Sequence, residues 1–152
     1  MSDAVALKLG ASLIRHFEGC TLAPVCDVGT AYSIGWGMDF LPNGSAVDAT
    51  TPAITQDTAD AWLDAELYRR AQIVDGIVPV DATSFQRAAM YDFAWNFSPE
   101  RLQTSTLLYL WRNGNLRGAI AQLGQWVHSG GAVNQWLVTR RAVEATLMDV
   151  RG

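Results

Sequence analysis

The chain has 152 residues, 49% of them apolar and 17% charged, with a net charge of −4 and no long run of like charges. That balance supplies the core of one compact domain and excludes a basic nucleic-acid-binding stripe or a polybasic membrane tether. No stretch approaches the ~20 apolar residues of a membrane span, and the N-terminus lacks the basic-then-apolar layout of a signal peptide.

In chain order, Leu9, Leu13, Ile14 and Phe17 recur at spacings of three and four. They predict an amphipathic helix over 3–18, stopped by Gly19. From Pro24 to Phe40, short runs broken by glycine predict a small antiparallel sheet, and Asn43-Gly44 marks a turn. Thr55 is placed to cap a long helix ending near Gly76, with an apolar stripe of Ala59, Trp62, Leu63, Leu67, Ala71 and Val74. Ser84 is expected to cap "FQRAAMYDFAWNF", which is apolar almost all round and so predicts a buried central helix. Further helices are predicted over 106–113, 116–128 and 134–148, with "SGG" at 129–131 separating the last two.

This order predicts an α+β, mainly α fold within a single domain over 1–152. A small antiparallel β-sheet lobe would span about 15–56 and a connecting helix about 57–76. A larger helical lobe over about 80–152 would pack with the N-terminal helix. The groove between two such lobes is the natural place for an extended ligand.

The corner between the first helix and the sheet concentrates the chemistry. Glu18 ends an apolar helix stripe, where a partly buried carboxyl suits a general acid. Strands joined by a tight turn over 29–31 would pair Asp27 with Ser33 on one face of the hairpin. Together these two groups would orient one water, the arrangement of an inverting glycosidase whose carboxyls lie roughly 6.5–9.5 Å apart. Cys20 and Cys26 are read either as reduced thiols or as a bridge across the start of the hairpin. His16 and His128 are too distant in sequence to suggest zinc, so no metal is expected. Of the six tryptophans, Trp62, Trp111, Trp126 and Trp136 are assigned to the core by default. Trp36, between two glycines, fits small-lobe packing and a cleft wall equally.

"FEG" at 17–19, Asp27 and "SIGWG" at 33–37 resemble the phage-type lysozymes of glycoside hydrolase family 24. That family carries Glu-x8-Asp-x5-Thr followed by Ile-Gly-x-Gly. The likeness continues through "AITQDTADAWLDAEL", "FQRAAMYDFAWNF", "TSTLLYLWRNGN" and "QLGQWVHSGGAVNQWLVTRRAVEATL". It implies a lysozyme-like two-lobed fold with Glu18 as general acid, Asp27 as the water-orienting carboxylate and Ser33 in the threonine position. Trp95 and Asn96 would face the sugar chain, and Arg140 or Arg141 would approach the catalytic glutamate. Met38 stands where many relatives have histidine.

The implied activity is hydrolysis of the β-1,4 bond between N-acetylmuramic acid and N-acetylglucosamine in peptidoglycan glycan strands. The implied protein is a monomeric endolysin without a metal or cofactor. It would be made in the host cytoplasm and depend on a holin to reach the periplasm and wall. The alternatives are a non-catalytic peptidoglycan-binding module and a tail-associated or effector lysozyme domain.

Overall fold

The computed structural model describes residues 3–26 and 31–150. They fall into two compact units, one of residues 11–69 and the other of residues 1–10 with 70–152.

The first unit contains the end of helix α1 (Ala4–Glu18), strands β1 (Thr21–Cys26) and β2 (Tyr32–Gly35), and the start of helix α2 (Gln56–Ile77). Its core gathers Ala11, Ile14 and Phe17 of α1, Ile34 of β2, Val47, and Ala59, Leu63 and Leu67 of α2, all buried. Gly19 adopts the left-handed conformation that ends α1, as expected of its position. Thr55 starts α2, its hydroxyl accepting from the Thr58 amide at 3.2 Å. The Asn43-Gly44 turn also forms, with the Asn43 side chain accepting from the Ser45 amide at 3.0 Å.

The register of the β1–β2 hairpin differs from the symmetric count. Val25 pairs with Ser33 and Cys26 with Tyr32, while Thr21 pairs with Gly35. The ladder therefore slips by two residues between Thr21 and Val25. Pro24 lies in that interval and has no N–H to donate, so the regular ladder breaks there. Ser33 thus faces Val25, not Asp27. Asp27 itself lies outside the described residues.

The second unit is helical. Its centre is α3 (Ser84–Asn96), with Ala88, Ala89, Met90, Tyr91, Phe93 and Ala94 all fully buried. Burial on every face explains why this helix reads as apolar all round. Its cap is Thr83 rather than Ser84, in a reciprocal box with Gln86. Short helices α4 (Pro99–Gln103), α5 (Thr106–Arg112) and α6 (Leu116–Gln122) follow, and then α7 (Gln135–Asp149).

The helix expected over 116–128 stops early. It tightens to a 3₁₀ turn at Leu123–Gln125, and His128–Ser129 (β3) pairs with Ala132–Val133 (β4). Gly130 and Gly131 both take positive φ, 58° and 82°, which suits a two-residue hairpin turn. Trp111 is buried and Trp126 packs on Phe93 and Phe97, but Trp136 is 50% exposed, contrary to its core assignment. It stands in the first turn of α7, just beyond an exposed hairpin, where little chain is available to cover it.

Candidate active site

Glu18 is the last residue of α1, half-buried, next to the buried ring of Phe17. Its carboxyl packs against the backbone of Gly37. A β-carbon built on Gly37 would stand 2.9 Å from Glu18 Cδ and 3.3 Å from Cγ, so only glycine leaves the carboxyl its place. Gly37 also has a φ of 79°, a conformation that side chains disfavour.

The segment around Gly37 is a closed loop. Ile34 and Met38 exchange both backbone hydrogen bonds at 3.0 Å, so Gly35, Trp36 and Gly37 form its tip. The backbone of Met38, the departure from histidine, thus helps to close that loop. The Trp36 indole N–H donates to Asp60 Oδ1 of α2 at 2.8 Å. The indole is thereby tied to α2 of its own unit, with the ring half-buried. Ser33, half-buried on β2, lies one residue before the loop.

Within the helical unit, Trp95 is only 7% exposed, and the Arg70 guanidinium lies 5.0 Å from its ring centroid. Asn96, half-buried at the end of α3, accepts from Arg141 Nη1 at 3.1 Å through its side-chain oxygen.

The two adjacent arginines of α7 diverge, because successive helix positions are about 100° apart. Arg140 grips Asp92 of α3 with two hydrogen bonds, Nε to Oδ2 at 2.9 Å and Nη2 to Oδ1 at 2.8 Å. Arg141 donates from Nη2 to Glu144 Oε1 at 2.7 Å, and its guanidinium lies 5.1 and 5.0 Å from the ring centroids of Phe93 and Phe97. All four charged groups are buried. Desolvation raises the Glu144 carboxyl well above the usual range, against the pull of Arg141; desolvation likewise lowers Arg141. Among the described residues, Arg141 Nε and Glu144 Oε2 are buried without a hydrogen-bond partner.

Sequence reasoning gave Gly37 no role beyond its place in the Ile-Gly-x-Gly motif and did not single out Asp60, Asp92 or Glu144. Asp92 did carry a signal, since a charge inside an otherwise apolar helix demands a partner. Asp60 carried none, because it reads as an ordinary polar position of α2. Cys20 immediately precedes β1 and Cys26 ends it; both are free thiols, and the extended strand between them, ~20 Å long, is beyond disulfide reach.

Residues 15–144 match the family described as phage lysozyme. The SAR-endolysin of Bacteriophage PS119 is 30% identical over 130 residues, covering 84% of this chain and 73% of that protein. The endolysin of Bacillus phage B103 is 34% identical over 142 residues, covering 92% of this chain; the chain spans 52% of that relative. Among solved structures, the muramidase domain of SpmX from Asticaccaulis excentricus matches with a TM-score of 0.77 at 25% identity, covering 93% of this chain and 95% of that one. The mainly helical fold of this chain, with its small antiparallel hairpin, matches that of its solved structural neighbours.

Proposed function

The chain belongs to the phage lysozyme family, and from that premise we propose that it is a muramidase. It hydrolyses the β-1,4 bond between N-acetylmuramic acid and N-acetylglucosamine in bacterial peptidoglycan. The observation that carries the reading is the place of Glu18. The half-buried carboxyl ends α1 and is held against the Gly37 backbone, a fixed place from which one carboxyl can be presented to a glycosidic oxygen.

In this reading Glu18 protonates the leaving glycosidic oxygen as the C1–O bond breaks. Asp27 takes a proton from a water that attacks C1 on the opposite face, and the Ser33 hydroxyl fixes that water. The anomeric configuration inverts. Trp95 and Asn96 remain the proposed glycan contacts, and Arg140 and Arg141 brace α7 against α3. Side chains alone supply this acid and base, so the reading calls for no cofactor.

Relatives named as endolysins support host-cell lysis as the setting. A monomer made in the host cytoplasm would then reach the wall through a holin. Among the described residues, no helix is long and apolar enough to cross a membrane.

Product analysis on purified cell walls tests the chemistry. New reducing muramic acid ends, released first as the inverted α-anomer, are expected. Anhydro-muramic ends would identify a lytic transglycosylase, and wall binding without new ends would identify a non-catalytic module.

A further inference from the structure

We propose that Trp36 and Asp60 are positioning residues for Glu18, acting through the three-residue loop that carries Gly37. The inference rests on the reading of Glu18 as the acid.

The loop has little freedom of its own. Its two ends are tied by the paired hydrogen bonds of Ile34 and Met38. Gly35 and Gly37 take φ values of 64° and 79°, so the tip folds back sharply on either side of Trp36. Gly35 faces Ala59 Cβ at 3.7 Å and Ile54 Cδ1 at 3.8 Å, counted from where its own β-carbon would be, and Gly37 faces the Glu18 carboxyl. One side of the loop therefore rests on α2 and the other on the acid.

The Trp36 side chain decides how closely the loop sits. Its N–H reaches Asp60 of α2 at 2.8 Å. Gln56 Nε2 donates to the same Asp60 oxygen at 3.2 Å, and Arg15 Nε lies 3.8 Å from it. Arg15 also lies 5.7 Å from the Trp36 ring centroid and belongs to α1, three residues before Glu18. The indole is thus pinned between α1 and α2 by charged partners at its edge and near its ring. Releasing it frees the loop to move away from Glu18. A carboxyl that must meet a glycosidic oxygen within a few tenths of an ångström then loses its wall.

Substituting Trp36 and Asp60 tests this, with clearing of purified walls and turnover of soluble uncrosslinked glycan strands as readouts. Trp36→Phe keeps the ring and removes the donor; Asp60→Leu keeps the volume and removes the acceptor. Each is expected to lower turnover about tenfold with KM little changed. Combined, they are expected to cost no more than Asp60→Leu alone, because the Trp36 donor acts through Asp60. Asp60→Asn retains an acceptor oxygen and is expected to restore most of the rate. Wild-type turnover in both single variants, alongside an inactive Glu18→Gln, would overturn the positioning role. So would additive losses that track melting temperature without rescue by Asp60→Asn. An active Glu18→Gln would instead remove the reading beneath it.

Discussion

Arg140 and Asp92 form a two-pronged ion pair in which both side chains are almost wholly removed from solvent, at 3% and 0% exposure. It ties the last helix to the central one. Removing one partner strands a buried charge, which typically costs about 3–5 kcal/mol. Asp92→Ala or Arg140→Ala should therefore lower the melting temperature by roughly 10 °C in a chain of this size. The double replacement Asp92→Leu with Arg140→Met should be milder than either single change, read by thermal unfolding.

Gly37 and Gly44 offer a paired comparison. Both have positive φ, 79° and 84°, but only Gly37 has a neighbour where a β-carbon would go, and that neighbour is Glu18. Alanine at either position should cost about 1–2 kcal/mol of backbone strain. Gly37→Ala should also reduce wall clearing at least about tenfold by displacing the carboxyl. Gly44→Ala should leave clearing per folded molecule intact.

Asp3 accepts from the Val5 and Ala6 amides at 2.9 and 3.2 Å and from the Ser84 hydroxyl. These bonds, the serine's foremost, hold its carboxyl below the usual aspartate range. The folded state then binds the proton less readily than the unfolded chain. The stabilisation is complete above the unfolded value, near pH 4, and fades as pH falls through the folded one. Asp3→Ala should cost about 1 kcal/mol at pH 7, and the difference from wild type should shrink towards pH 2 in urea titrations.

Ser33 keeps the hydroxyl of the family's threonine position without its methyl. Ser33→Ala should lower turnover about tenfold or more if that hydroxyl holds the attacking water. Ser33→Thr should match or exceed wild type, because the added methyl restricts rotation. Equal rates for serine and alanine would remove Ser33 from the mechanism.

The long-period features were the legible ones. The apolar stripe of α2 and the all-round burial of α3 follow from residues that each element carries itself. The hairpin register was not legible, because it depends on where Pro24 interrupts the ladder rather than on a symmetric count from the turn. The helix expected over 116–128 ends at Gln122, where the chain tightens into a 3₁₀ turn containing Gly124, a poor helix residue, and the hairpin takes over at His128. The position of Glu18 at the end of α1 was also readable, from the apolar stripe before it and the glycine after it. The Trp36–Asp60 bond joins residues 24 apart in sequence. The glycines flanking Trp36 mark its position but not its partner, and nothing beside Asp60 marks that residue. Arg140 and Arg141 were equivalent in sequence and became distinct only once helix rotation gave each its own carboxylate.

The central claim is that Glu18 supplies the proton for glycosidic cleavage. The most direct measurement compares the release of reducing muramic acid ends from purified walls by wild type and Glu18→Gln, both verified as folded by thermal unfolding. The amide keeps the shape and polarity of the carboxyl but cannot donate its proton in the same way. A loss of about a hundredfold or more is predicted. Release at the wild-type rate by Glu18→Gln would contradict the account.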